Sequence, residues 1–485
     1  MSTVPIAGPR RLAPVSRWYA AAKHTRYTHA AAYHRDTGAS RRGPAIGTVD
    51  IPEGYGAPAR DARTYRLVRC SVASVNRPLR IALLSYRSKP HSGGQGVYVR
   101  HLSRELAAAG HHVEVFSGQP YPELDEGPAL REVPSLDLYR DDDPFRTPAL
   151  GEIRDWADVL ETVMMWGGAF PEPLTFSIRA LRALRDRPGE FDIVHDNQGL
   201  GYGMLAVPRL GLPLVTSVHH PITVDKRLDL ADRGWLERLS KNRWYGFVRM
   251  QGRVARRAGP LITVSESSKH DICRDFRVPP ASVHIIPLGV DTRLFRPDAA
   301  QGRVRGRIVA VTSADSPLKG LSTLLRAVAK LVTDRNVHLV VVGTPTDATR
   351  KQAAQLSLGD RVTFTSGLPD QEYARLLASA EVAVVPSLYE GFSLPAVEHM
   401  ASGTPLIVSR AGALPEVVGD AALLVAPGDP EELATALRNL HDDEAERARL
   451  SRRGLTRVSE RFAWPAVAAA TVALYGKAIN EETGC

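Results

Sequence analysis

The sequence predicts an α/β protein built from two doubly wound domains behind a basic N-terminal tail. Three observations carry this. Short apolar runs alternate with stretches of helical period from Arg80 almost to the C-terminus. The alternation halts and restarts once, around the Pro- and Arg-containing stretch DTRLFRPDAAQGRVRG at 291–306. The chain has 485 residues, 44% of them hydrophobic and 24% charged, which suffices for two or three full cores.

In chain order, RIALLSYR (80–87) reads as a buried strand, SKPHSGGQG (88–96) as a loop, VYVRHLSRELAAAG (97–110) as a helix stopped by Gly110, and HVEVFSG (112–118) as the next strand. Strand, helix and strand in that order form a βαβ unit, which needs a parallel sheet covered on both faces. DIVHDNQ, PLVTSVHH, PLITVSES and SVHIIPLG supply further strands of the first domain, set at 79–295. RIVAVTSA, HLVVVG, RVTFTSG, EVAVVPS, PLIVSR and ALLVAPG, separated by amphipathic helices, make the second domain at 296–465. Residues 120–190 break the alternation with a Pro- and acid-rich region and are read as an insertion. Residues 466–485 are expected to be a helix and tail packing back on the first domain.

Charge is unevenly placed. The formal net charge is +9, and residues 1–78 hold 13 Lys and Arg against 4 Asp and Glu, so the body of the protein is neutral. That leaves no continuous basic stripe for nucleic acid. The tail, rich in Arg, Ala, Pro and Gly, reads as disordered. An organelle transit peptide, or an extension upstream of a native start near Val72 or Val75, are the other readings. Cys70, Cys273 and Cys485 form no C-x-x-C pair, which fits a reducing cytosol and neither a disulfide framework nor a thiolate metal site. No apolar run approaches the roughly 20 residues of a spanning helix.

Two stretches carry candidate chemistry. In SGGQG (92–96), Gly94 and Gly96 allow a ligand close to the backbone, next to a helix start whose free N–H groups attract anions. A plain tight turn explains them equally well. In PSLYEGFSLPAVEHMASGTPLIVS (386–409), Ser393 and Pro395 suit the first turn of a helix that Gly403 stops. Ligands of open α/β sheets bind beyond the carboxyl ends of strands. Glu390 and the backbone of Phe392, Ser393, Leu394 and Pro395 would therefore face a crevice, with Glu398 one turn further in, suited to vicinal ribose hydroxyls. The plain alternative is a solvated loop acid and a favourable first-turn acid.

EGFSLPAVE (390–398) resembles the E-x7-E signature of retaining glycosyltransferases, in particular family 4, whose architecture is the two-domain GT-B fold. The blocks GGQGVYVRHLSRELAAAGHHVEVFSG, VTSVHH, ITVSESSKHDI, IPLGVDTRLFRP, LKGLSTLLRAVAKL and RAGALPEVVGDAALLVAPGDPEELATAL resemble the family's other blocks in the same order, over roughly residues 79–475. The resemblance implies a nucleotide diphosphate sugar as co-substrate, no cofactor and no metal. It assigns Glu398 to the ribose, Glu390 and the Phe392 to Pro395 backbone to the donor sugar, Lys319 to the diphosphate, and Gly94 to Gly96 to the approach of donor and acceptor. It also puts His219 near the transferred sugar, with the adjacent His220 as the competing choice. Many members carry an arginine where this chain has Ala314, so half of the phosphate clamp is in question; Arg410 or a first-domain residue is the expected substitute. The Asp141 to Asp143 triplet reads as a solvated charge run.

The implied activity is metal-independent transfer of a hexose from a UDP- or GDP-sugar to a hydroxyl of a lipid, saccharide or small metabolite, by same-face attack. A GT-B sugar-nucleotide epimerase or phosphorylase is the alternative. WLERLSKNRWYGFVRMQGRVARRAG (235–259) mixes aromatic and basic residues. It reads as a core-packed helix with a basic face, or as a segment giving weak peripheral association with the inner face of a membrane.

Overall fold

Runs of β-branched and aliphatic residues become two all-parallel sheets. The computed structural model describes residues 77–483, apart from 90–93, 141–142, 232–233, 299, 301 and 313–316. Almost all of the tail expected at 1–78, Ala314 and the first two aspartates of the 141–143 triplet lie outside the described residues; Asp143 is exposed, 3.9 Å from Arg140.

The first sheet comprises β1 (Arg80–Ser85), β2 (His112–Ser117), β3 (Ala129–Glu132), β4 (Ile193–Asn197), β5 (Leu214–Ser217), β6 (Leu261–Thr263) and β7 (Val283–Ile285), in the order β3-β2-β1-β4-β5-β6-β7. The second comprises β8 (Val304–Val311), β9 (His338–Val342), β10 (Val362–Thr365), β11 (Ala380–Val385), β12 (Leu406–Ser409) and β13 (Ala422–Val425), in the order β10-β9-β8-β11-β12-β13. Strand order reverses between β1 and β4 in one sheet and between β8 and β11 in the other. Loops leaving the C-terminal ends of those strands splay apart there and leave a crevice.

β3 is a correction to the sequence reading, which placed no strand between 119 and 192. It is a four-residue edge strand paired with β2 and exposed along its length, so no apolar run marks it. Beyond it the insertion holds the helices Trp156–Trp166 and Glu172–Arg185. The basic aromatic segment forms two helices, Trp235–Trp244 and Gly246–Ala255. Trp244 packs against Tyr139, Phe145 and Phe170 at 5.2–5.7 Å, while Trp235 faces outward. No helix among the described residues is long and apolar enough to cross a membrane.

The chain crosses between domains twice, side by side. Val290 bridges Ala463, and its N–H donates to the Phe462 carbonyl at 2.8 Å. A Cβ on Gly289 would sit 2.4 Å from the Trp464 ring, so only glycine fits that crossing. The last helix, Trp464–Thr483, returns to the first domain and packs on the helix Gly94–Ala108. There Tyr475 meets the buried His195, whose Nδ1 lies 2.6 Å from the Tyr475 hydroxyl and whose Nε2 lies 2.7 Å from Ser217 Oγ.

Candidate active site

The second domain builds its part of the site at the β8/β11 reversal. Lys319 ends the turn Pro317–Lys319 after β8, and Glu390 sits in the loop after β11. Their side chains meet: Lys319 Nζ donates to Glu390 Oε1 at 2.8 Å, and Ser387 Oγ donates to the same oxygen at 2.8 Å. The two loops are fastened by a backbone bond, Leu388 N–H to the Leu318 carbonyl at 2.7 Å, and the segment after β12 holds the Glu390 carbonyl through Ala413 N–H at 2.9 Å. Close approach explains Gly320, which has φ of +66° and whose Cβ would lie 1.9 Å from the Pro386 carbonyl oxygen.

The helix Leu394–Ala401 follows, with Pro395 in its first turn and Ser393 as N-cap; Ser393 Oγ accepts from Ala396 N–H at 3.4 Å. Ser393 holds φ of +90°, an uncommon conformation for a residue with a Cβ. Strain of this kind collects at ligand-binding turns. Phe392 is buried edge-on against Phe462, 5.7 Å away, which ties the loop to the interdomain crossing.

Glu398 faces the helix Asp370–Ala378, where Tyr373 OH donates to its Oε2 at 2.6 Å. Burial pushes its carboxyl up to about 7; the tyrosine bond works against this and the charge of Asp370 with it. Tyr373 is raised well above its ordinary value, first by burial and then by Glu398. The carboxyl is therefore poised to change charge near neutrality.

The first domain closes on this loop through the helix Glu266–Phe276. Ser265 and Ser268 hydroxyls donate to the Gly391 carbonyl at 2.7 and 3.1 Å, Tyr389 OH donates to Asp271 at 2.7 Å, and the Glu416 carboxylate accepts from the N–H groups of Glu266 and Ser267 at 2.8 and 2.9 Å. A Cβ on Gly391 would stand 3.2 Å from His220 Cβ, so His220 lies directly against the Glu390 loop.

His219, just past the end of β5, points elsewhere. Its Nε2 lies 2.8 Å from Asn197 Oδ1, its backbone N–H donates to Gln198 Oε1 at 2.9 Å, and its ring stands edge-on to Tyr98 with centroids 4.6 Å apart. Burial lowers its imidazole to about 3, with a smaller contribution from His220, so it is neutral at physiological pH. Gly94 and Gly96 fall within the first turn of the helix Gly94–Ala108 rather than in the loop before it. Gly96 is required there, since a Cβ would sit 2.0 Å from the Lys89 carbonyl oxygen.

Of the residues singled out in the sequence, Lys319, Glu390 and the Gly391 to Ser393 backbone converge, with His220 beside them. Glu398 is held on Tyr373, and the hydrogen bonds of His219 run to its own domain. Arg410, considered as a second phosphate ligand, is exposed and reaches the Leu424 carbonyl at 3.4 Å. Ser387, Tyr373 and Asn197 were not singled out. Asn197 is legible as a polar residue at a strand end; Tyr373 sits in an ordinary amphipathic helix with no signal.

A family model described as "Glycosyltransferase Family 4" matches residues 92–294, and one described as "Glycosyl transferases group 1" matches 299–457. Among curated proteins, the MMP alpha-(1->4)-mannosyltransferase of Mycolicibacterium hassiacum is 57% identical over 413 residues, 84% of this chain and all of that one. A D-inositol 3-phosphate glycosyltransferase of Streptomyces avermitilis is 29% identical, covering 84% of this chain and 89% of that one. Among solved structures, sucrose-phosphate synthase from Thermosynechococcus elongatus superposes with a TM-score of 0.61 at 25% identity, over 82% of this chain and 98% of that one. Anabaena HepE in complex with UDP gives 0.59 at 17% identity, over 82% and 100%, a likeness of fold alone. Two sheets with paired reversal points, a glutamate-edged loop between them and matches running in chain order over both halves place this chain among the GT-B glycosyltransferases of family 4.

Proposed function

We propose that the chain is a retaining, metal-independent mannosyltransferase that takes its sugar from a nucleotide diphosphate donor and delivers it to a saccharide hydroxyl. The observation that carries this is the meeting of Lys319 and Glu390 across the β8/β11 reversal, beside a capped helix start. Lys319 and the first-turn N–H groups of the helix Leu394–Ala401 offer positive charge where the diphosphate leaves. Glu398, once ionised, accepts two ribose hydroxyls. Mannose is preferred because the M. hassiacum relative is named for mannosyl transfer; its α-(1→4) linkage implies a sugar ring as acceptor.

In this reading the acceptor oxygen attacks C1 on the face the diphosphate leaves. The new C–O bond forms as the C1–O phosphate bond breaks, and the acceptor's proton passes to the departing phosphate oxygen. From the first domain His220, which stands against Gly391 beside Glu390, is the histidine placed to line the sugar, while His219 stays neutral and held on Asn197. We place the reaction in the cytoplasm; in the basic aromatic segment Trp244 and Phe247 are engaged in packing, while Trp235, Leu236 and Leu239 are exposed. The test is a nucleotide-sugar hydrolysis screen without acceptor, run in EDTA on GDP-mannose, UDP-glucose and ADP-glucose. GDP-mannose turnover lost in Glu390→Ala supports the reading; no turnover of any donor, or turnover indifferent to Glu390→Ala, overturns it.

A further inference from the structure

The insertion helix Trp156–Trp166 is inside out. Its buried face carries Asp158, Glu161 and Thr162 beside Ala157 and Met165, while Trp156, Val159, Val163 and Trp166 are 56%, 47%, 55% and 56% exposed. A surface helix ordinarily does the reverse. The acids are drawn inward by arginines of neighbouring segments: Asp158 pairs with Arg154 at 3.1 Å and Arg179 at 2.6 Å, and Glu161 with Arg179 at 2.6 Å. Asp155 caps the helix and pairs with Arg182, whose guanidinium also lies 4.8 Å from the Trp156 ring centroid and steadies it. The stripe residues themselves are uncharged and partly buried Leu160 and Met164 flank them; charge enters at the N-terminal end alone, where Arg182 lies on Trp156.

We propose that this face pairs with the same face of a second copy of the chain, as two antiparallel helices about a two-fold axis. The spacing argues for it. Trp156, Val159, Val163 and Trp166 are separated by three, four and three positions, so the stripe reads the same from either end. An antiparallel pair centred at position 161 sets Trp156 of one protomer against Trp166 of its partner, and Val159 against Val163, each contact occurring twice. Self-complementarity of this kind is what a two-fold interface requires. The four stripe residues carry no charge with which to select a partner of opposite sign. With aromatic side chains burying 150–250 Å² each, the stripe and its flanks offer roughly 500 Å² per protomer. The total, roughly 1,000 Å², lies just below the standard range, so the dimer is a weak one.

Sedimentation velocity on the full chain from about 0.5 to 100 µM tests this. The wild type goes from monomer to dimer over that range. V159E weakens association at least about a hundred-fold, since each protomer then desolvates an unpaired carboxylate. V159E combined with V163K in one chain sets opposite charges against each other twice across the axis and recovers most of the loss. These side chains are exposed, so the variants keep the wild-type circular dichroism. A wild type that stays monomeric at 100 µM, a dimer indifferent to V159E, a double variant no better than V159E, or a monomer whose exposed stripe binds phosphatidylserine vesicles instead would each overturn the proposal.

Discussion

Removing one hydroxyl should move the pH dependence of nucleotide binding. Tyr373 OH donates to Glu398 Oε2 at 2.6 Å, and burial pushes that carboxyl up to about 7. In Tyr373→Phe burial remains while the bond favouring the ionised form is lost. A hydrogen bond to a charged group contributes about 1.5–3 kcal/mol. At 1.36 kcal/mol per pH unit, the Glu398 midpoint rises by about one to two units. Only the ionised carboxylate accepts both ribose hydroxyls, so at pH 7 its population drops from about half to between about 1 and 10%, and affinity for the nucleoside diphosphate falls roughly 5- to 50-fold. By pH 9 much of the loss is recovered. Calorimetric titration of GDP and UDP from pH 6 to 9 reads this directly. The same weakening at every pH, or no change at all, would refute the link between Tyr373, Glu398 and the ribose.

Three further outcomes follow from the geometry. Lys319→Ala strips positive charge from the departing diphosphate and should lower kcat by about 10²–10³-fold, with Lys319→Arg retaining part of the activity; equal rates for all three proteins would contradict the role. Gly320→Ala forces a Cβ into the Pro386 carbonyl at a positive φ and should lower Tm by several degrees while disturbing Lys319; an unchanged Tm would contradict the packing. His399 is fully buried, and burial depresses its imidazole to about 3. Between pH 6.5 and 3 the unfolded chain binds the extra proton, so stability is present in full above 6.5 and is lost as pH falls. Relative to wild type, His399→Leu should therefore gain about 2 kcal/mol on going from pH 7 to pH 5, measured by urea unfolding; a pH-independent difference would contradict the burial argument.

Much of the fold was open to sequence reasoning because strands buried on both faces declare themselves as continuous apolar runs. The Glu390 loop was open for another reason: Gly391, Ser393, Pro395 and Gly403 are turn and cap chemistry in fixed order. β3 escaped because a short, exposed edge strand needs no apolar run. Ser387 and Tyr373 escaped because their value lies in a contact with residues that share no local pattern with them. The helix Trp156–Trp166 shows the limit most clearly. Its apolar stripe is plain in the sequence, yet periodicity assigns that stripe to the interior. Only Arg154, Arg179 and Arg182, gathered around its acids by the fold, turn it outward. Likewise the pair of adjacent histidines at 219 and 220 could not be separated by spacing. The structure turns one onto Asn197 and lays the other against Gly391.

In the proposed mode of binding, a nucleoside diphosphate lies in the crevice between the two reversal points, its phosphates on Lys319 and its ribose on Glu398. A crystal structure with the nucleoside diphosphate bound tests it most directly. A phosphate oxygen is expected about 2.8 Å from Lys319 Nζ, with both ribose hydroxyls on the Glu398 carboxylate. A nucleotide bound elsewhere, or in the crevice with neither residue in contact, would contradict it.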